Sequence, residues 1–205
     1  MIALLRLCRN QRASSAAEFA LVLPVFLLLL LGTIDVGRYM WNVGQLEKAT
    51  QMGTRYAVVT DMVASDLFDY SFATSGNIEQ GTVVPQSSFP GISCSSNGTA
   101  VSCTCLSGGT CAFGTTADAT AFNRIVDRMA VLYRGITPGD VTVDYTWSGL
   151  GYSGDPNGSD VDPIVTVRVS NQQFKPLTLG TLQNLGLPGT SHSLTMEDGQ
   201  GSLGN

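Results

Sequence analysis

Apolar residues are concentrated near the N-terminus, where residues 19–34 form a run of sixteen without a charge. With the small residues before it, the run approaches the roughly 20 residues that an α-helix needs to cross a bilayer core of about 30 Å. Glu18 and Asp35 border the run and Pro24 interrupts it. We expect Pro24 to kink or loosen the helix, because proline removes a backbone hydrogen bond and crowds the preceding turn. The pattern predicts a transmembrane helix.

The helical pattern continues beyond the apolar run. Apolar and small side chains recur there at steps of three and four, which is typical of one face of an α-helix. They are Val36, Tyr39, Val43, Leu46, Ala49, Gly53 and Tyr56. We therefore predict one helix from about residue 15 to residue 64, some 75 Å long at 1.5 Å per residue. Its amphipathic second half needs a surface to pack against.

The remaining pattern predicts a small α+β domain. Residues 66–116 are rich in Gly, Ser, Thr and Asn, which is typical of a long loop with a short strand or two. A helical pattern covers residues 117–134, and Gly135 is a plausible end. Alternating residues at 141–147 and 164–169 predict two antiparallel strands, and residues 191–196 a third. We expect three regions: a basic leader (1–13), a transmembrane and amphipathic helix (14–64), and a periplasmic or extracellular domain (65–205).

Charge supports export of this domain. The formal net charge is −5, and no cluster of Lys and Arg follows residue 38, which argues against binding of nucleic acid. Arg6, Arg9 and Arg12 precede the apolar run with no acid among them. The positive-inside rule then keeps the N-terminus in the cytoplasm. A cleaved secretory signal is the alternative, but the helical pattern continues where its cleavage site would lie, so we favour a retained anchor.

Cysteine spacing also favours an oxidising compartment. Four cysteines, Cys94, Cys103, Cys105 and Cys111, lie within eighteen residues, whereas Cys8 precedes the membrane segment. Such a cluster predicts two disulfides, with three possible pairings. Cys103 and Cys105 are too close in sequence to pair easily with each other, so each is expected to meet Cys94 or Cys111. The alternative is zinc, whose sites usually contain C-x-x-C pairs, and the only close pair here is C-x-C.

Residues that could support catalysis are few. His192 is the single histidine, lies near the C-terminus among Ser and Thr, and is interpreted as a surface residue rather than part of a triad. Asp155, Asp160 and Asp162 share one loop, which could bind calcium but lacks the EF-hand order and is interpreted as a solvated turn. The sequence contains no phosphate loop, nucleophile elbow or dinucleotide motif. We predict a protein that is not an enzyme and needs no cofactor or metal.

Glu18 is the residue that most needs an explanation. A carboxylate inside a membrane helix costs on the order of 2.5–3.5 kcal/mol. It can lie at the cytoplasmic headgroups, or it can pair with an opposite charge. Cleavage of the chain shortly before Glu18 would create an α-amine suited to such pairing, in the same chain or in a neighbouring one.

The borders of the apolar run resemble a known family. The stretch A-S-S-A-A-E-F-A-L-V-L-P, followed by G-T-I-D-V-G-R, is similar to the TadE-like pseudopilins, or minor pilins, of tight-adherence (Flp-type) pilus systems. The matching positions are Glu18, Phe19, Leu21, Pro24, Gly32, Asp35, Gly37 and Arg38. More weakly, residues 165–169, 174–177 and 186–188 resemble the sheet of that family and the segment after it. The family usually has glycine where this chain has Ala13.

The resemblance implies a processed, assembling subunit. Ala13 would be the last residue of the leader and Ser14 the first of the mature protein, with cleavage by a prepilin peptidase on the cytoplasmic side. Glu18, Phe19 and Pro24 would serve assembly. The implied partners are other pilin-like subunits, inner-membrane assembly machinery and membrane lipid, and the implied role is pilus assembly with surface adhesion and biofilm formation. A permanently anchored envelope binding protein and a metal-dependent exported enzyme are the alternatives.

Overall fold

The computed structural model describes residues 14–106, 111–156, 158–177 and 184–200. The predicted leader, including Ala13 and Cys8, lies outside the described residues. Internal contacts divide the chain into two units. The first comprises Met1–Trp41 with Phe174–Leu185, and the second comprises Asn42–Gln173 with Gly186–Asn205.

One long helix, α1, spans Ser14–Ala57 and contains Pro24 in its interior. Its 44 residues correspond to about 66 Å at 1.5 Å per residue. The sequence predicted that the helix would continue to residue 64, but it ends seven residues earlier. Residues 58–63 use their backbone groups in tertiary contacts instead: the carbonyl of Val58 accepts hydrogen bonds from the amides of Glu197 and Asp198. The amide of Val63 donates to the hydroxyl of Tyr145 at 2.9 Å.

The second unit has an α+β architecture, as the sequence predicted. After α1 come α2 (Ser65–Asp69), β1 (Ile92–Ser96), β2 (Val101–Cys105), α3 (Ala119–Ala130), a 3₁₀ turn (Pro138–Asp140), β3 (Val141–Thr146), β4 (Ile164–Val169) and β7 (Thr190–Thr195). Two short strands, β5 (Gln173–Phe174) and β6 (Leu185–Gly186), form a separate two-stranded sheet. Helix α3 begins where Asp118 accepts hydrogen bonds from the amides of Thr120 and Ala121, a common N-cap arrangement.

The main sheet has five strands in the order β2-β1-β3-β4-β7, all antiparallel. The predicted pairing of residues 141–147 with 164–169 is confirmed, and so is the strand near residues 191–196. The predicted three-stranded sheet was too small, because the hairpin β1–β2 extends it on the other side of β3. Its residues, ISCSS and VSCTC, contain too few apolar positions to produce a clear strand pattern.

The core of the second unit is built from α1, α3 and one face of the sheet. In β4 the buried valines alternate with more exposed residues, as expected for a sheet covered on one face. Helices α1 and α3 approach closely at Gly53, where an added Cβ would lie 2.5 Å from the sulfur of Met129. A side chain at position 53 would therefore force the Met129 side chain to move. Tyr145 is completely buried, and burial raises the pKa of its hydroxyl.

Disulfides join Cys94 to Cys103 and Cys105 to Cys111. The first, the hairpin disulfide, links residues that lie directly opposite each other in β1 and β2, with their Cα atoms 4.0 Å apart. The second closes the chain that follows β2. The sequence left this pairing open, and strand register decides it, because Cys103 faces Cys94 across the ladder.

Candidate functional site at the N-terminal helix

The first part of α1 exposes nearly all of its apolar side chains. The segment is long and apolar enough to cross a membrane, and only 6% of its most apolar window is buried within the molecule. Eleven large hydrophobic side chains in residues 19–34 are exposed: Phe19, Leu21, Val22, Val25, Phe26, Leu27, Leu28, Leu29, Leu30, Leu31 and Ile34. A helix that is apolar all round requires an apolar environment. This property supports a single-pass membrane anchor.

The predicted assembly residues lie on this exposed helix. Helix α1 is described from Ser14 onward, and Glu18 and Phe19 lie within its next two turns with exposed side chains. Pro24 is accommodated inside the helix, although it supplies no backbone N–H to the carbonyl one turn earlier. These positions therefore belong to the same helix segment as the uncovered apolar side chains.

Asp35, at the end of the apolar run, differs from the exposed Glu18 because it is buried, with only 6% of its surface exposed. Its Oδ1 accepts a hydrogen bond from the backbone amide of Leu177 at 2.9 Å and another from Nη1 of Arg38 at 3.1 Å. Leu177 is 142 residues away in the chain. A carboxylate that accepts a backbone amide forms one of the stronger protein hydrogen bonds. Asp35 thus fixes the segment of residues 174–177, here called the strap, to α1.

Phe174 provides the second contact between the strap and α1. The guanidinium of Arg38 lies 5.2 Å from the centre of the Phe174 ring, within the range of a cation–π interaction. Tyr39 meets the same ring edge-on, with the ring centres 5.6 Å apart. Asp35, Arg38 and Tyr39 therefore hold the strap through a carboxylate, a cation and an aromatic ring.

The comparison with protein families addresses the same helix. A TadE-like protein family model matches residues 13–55. The matched range, here called the TadE-like segment, contains Ala13, Ser14, Glu18 and Asp35, and it ends within α1. The resemblance inferred from the sequence motifs is thereby confirmed for this segment. No curated protein and no solved structure matches the chain.

The contact between Asp35 and the strap is a site that the sequence did not predict. The sequence motifs identified Asp35 and Arg38 as residues that resemble the family, and residues 174–177 as a weaker resemblance. Neither stretch alone indicates that the two are in contact. The indication that sequence could offer for this contact was that both family-like stretches occur in the same chain. Gly32 and Gly37 also belong to the motif. Both have open space around the position of an added Cβ, so contacts among the described residues do not explain why glycine occupies these positions.

His192, the only histidine in the sequence, lies on β7. Its backbone carbonyl accepts a hydrogen bond from Oγ1 of Thr54 at 3.1 Å, which links β7 to α1. The side chain is half-buried, and its neighbours Ser191 and Ser193 alternate to the other face of the strand. The position of His192 is therefore explained by its place in the sheet.

The acidic loop at residues 155–162 is organised by a buried carboxylate, not by solvent as predicted. Asp160 is buried, and its two oxygens accept hydrogen bonds from the amides of Phe72, at 2.6 Å, and Asp155, at 3.0 Å. Burial, together with the negative charge of Asp155, raises the pKa of Asp162. Across the described ranges, no group of three or more His, Cys, Asp or Glu side chains is arranged to hold a metal ion.

Proposed function

We propose that this protein is a minor pilin or pseudopilin of a tight-adherence pilus system, which supports pilus assembly and surface adhesion. In this proposal α1 holds the subunit in the inner membrane, and the second unit faces the periplasm or the cell exterior. The observation that carries the proposal is the coincidence of the TadE-like segment with a helix whose apolar surface is uncovered.

The uncovered surface is too large for an aqueous environment. Covering one large apolar side chain contributes about 1.5–3 kcal/mol, and eleven such side chains are exposed in residues 19–34. Lipid can cover them while the subunit is stored in the membrane. In a fibre, the helices of neighbouring subunits would replace the lipid, so a single surface serves both states.

Glu18 supplies a specific contact when the helices of neighbouring subunits replace the lipid. Cleavage between Ala13 and Ser14 would place a new α-amine four positions before Glu18. In an apolar surrounding a carboxylate is stabilised by an opposite charge and by hydrogen bonds. We therefore assign Glu18 to pairing with the N-terminal amine, either of its own chain or of a neighbouring subunit.

Leader processing is tested by mass spectrometry of the membrane-extracted protein, co-expressed with a prepilin peptidase. The expected N-terminus is Ser14. Ala13→Gly, which restores the residue usual in the family, should process at least as completely as the native chain. An N-terminus that remains at Met1 in both forms would contradict the pilin assignment and favour a permanently anchored binding protein.

The role of Glu18 is tested by co-purification with other pilin-like subunits. Glu18→Ala should leave membrane insertion intact but reduce the recovery of partners. Glu47→Ala is the matched control, since Glu47 is an exposed carboxylate on the same helix beyond the apolar run. Equal recovery of partners from both variants would argue against charge pairing. The metal-dependent enzyme alternative is tested by metal analysis of the purified protein together with His192→Ala. Unchanged behaviour of that variant and no bound metal would remove the alternative.

A further inference from the structure

An apolar groove lies on the first unit, between α1 and the strap. It has a volume of ≈ 330 Å³, and the surface it presents is apolar. Gly32, Val36 and Met40 form its helix side, and their spacing of four residues places them on one face of α1. Phe174, Pro176 and Leu185 form the opposite side. An added Cβ at Gly32 would meet no atom within 4 Å, so the end of the groove nearest the apolar run is open.

The groove lies where the apolar run ends. Residues 32–40 cover about 12 Å along the helix axis at 1.5 Å per residue. The polar headgroup layer on one side of a bilayer is about 5–8 Å thick. If residues 19–34 lie in the hydrocarbon core, the groove begins inside the core and continues through the headgroup layer on the exported side. Its length suits the upper part of a lipid.

The rim of the groove has the composition of a membrane interface. Leu185, which lines the groove, is 51% exposed, and Leu177, which follows the lining residue Pro176, is 72% exposed. Trp41 is 68% exposed; it lies on the opposite face of α1 from the groove but at the same level along the helix, and tryptophan is enriched at the headgroup level of membrane proteins. Two cations lie beside these apolar residues: the side chain of Arg38 is 41% exposed, and Lys175 is exposed. Cations near an anionic lipid surface are attracted to its phosphates.

We propose that the groove and its rim form an interfacial lipid site in the leaflet on the exported side. An acyl chain lies along Val36, Met40 and Phe174, and the headgroup phosphate meets Arg38 and Lys175. The site would set the depth of the subunit in the membrane, and it must be vacated when α1 leaves the lipid. This inference rests on the membrane anchoring in the proposed function, but not on leader cleavage or partner binding.

The test uses the full chain in phosphatidylcholine–phosphatidylglycerol vesicles whose acyl chains carry bromine, a quencher of tryptophan. Leu177→Trp is made in a Trp41→Phe, Trp147→Phe background, so that one tryptophan reports on the strap. Its emission should be quenched and shifted to shorter wavelength. Val131→Trp in the same background is the matched control, because Val131 is 75% exposed but lies in the second unit, and it should be unquenched.

Each outcome decides one point. Absence of quenching at position 177 in chains that float with the vesicles would overturn the lipid site while leaving membrane anchoring intact. Failure to float would overturn both. Shielding of position 177 from aqueous iodide that appears only at high protein-to-lipid ratio would assign the groove to a second copy, and would also refute the lipid site.

The charged part of the site has its own measurement. Native mass spectrometry of the detergent-extracted protein should show bound phosphatidylglycerol in preference to phosphatidylcholine. Lys175→Ala should reduce this preference roughly fivefold, the effect expected of one basic residue at an anionic surface. Lys48→Ala, which removes an exposed lysine from the second unit, should not. An unchanged lipid preference in Lys175→Ala would refute the phosphate contact.

Discussion

The contact between Asp35 and the strap gives the sharpest prediction. Asp35→Ala removes the acceptor of the Leu177 amide and the partner of Arg38. A hydrogen bond to a charged group contributes about 1.5–3 kcal/mol. We use the lower end, because the Leu177 side chain is 72% exposed and headgroup oxygens or interfacial water can accept a hydrogen bond from the released amide. The partly exposed Arg38 adds little, as is usual for ion pairs in contact with solvent.

About 1.5 kcal/mol corresponds to roughly a tenfold increase in local opening. Hydrogen exchange, measured by mass spectrometry on nanodisc-embedded protein, should therefore be about tenfold faster at Leu177 in Asp35→Ala. Asp35→Asn keeps a neutral acceptor and should be intermediate. Asp61→Ala is the control, since it breaks only the solvent-exposed pair with Arg124. If the Leu177 amide exchanged at the native rate in Asp35→Ala, the strap would be held by other contacts and the reasoning would fail.

Three further predictions concern the second unit, each measured by urea unfolding of the purified protein. Tyr145→Phe leaves the buried amide of Val63 without its acceptor and should lower the unfolding free energy by about 1–3 kcal/mol. Gly53→Ala should cost a similar amount through overpacking against Met129. The double variant with Met129→Ala should lose less than the sum of the two single losses, whereas additive losses would contradict the close approach. Selective loss of the hairpin disulfide, whose cysteines are 9 residues apart, should cost at most about 2.6 kcal/mol; no change would show that strand pairing alone holds the hairpin.

The regular elements were predictable wherever their signal was local. The apolar run and the step of three and four residues defined α1, and alternation defined β3 and β4, because these periods follow directly from helix and strand geometry. The motif around Glu18 and Asp35 could also be recognised from the sequence, because its residues lie close together in the chain. The family model matches residues 13–55, the part of the chain that contains this motif.

Elements that depend on distant partners were not predictable. Strand β1 became a strand because β2 and β3 pair with it on both sides, although its Ser and Cys residues are weak indicators of a strand. Residues 58–64 continue the apolar helical pattern, yet they leave the helix because Tyr145 and residues 197–199 offer hydrogen bonds to their backbone. Strand propensity in particular depends on such context.

The sequence by itself determined that this chain has an apolar helix bordered by two carboxylates, followed by an α+β domain with a cysteine-rich segment. Only the tertiary structure decided where the two carboxylates lie. Glu18 stays on the exposed helix surface, whereas Asp35 is buried by a strap that begins more than a hundred residues later. The physical reason is that helix and strand periods depend on residues close together in the sequence. Whether a polar side chain is buried and hydrogen-bonded depends instead on which distant backbone group comes into contact with it.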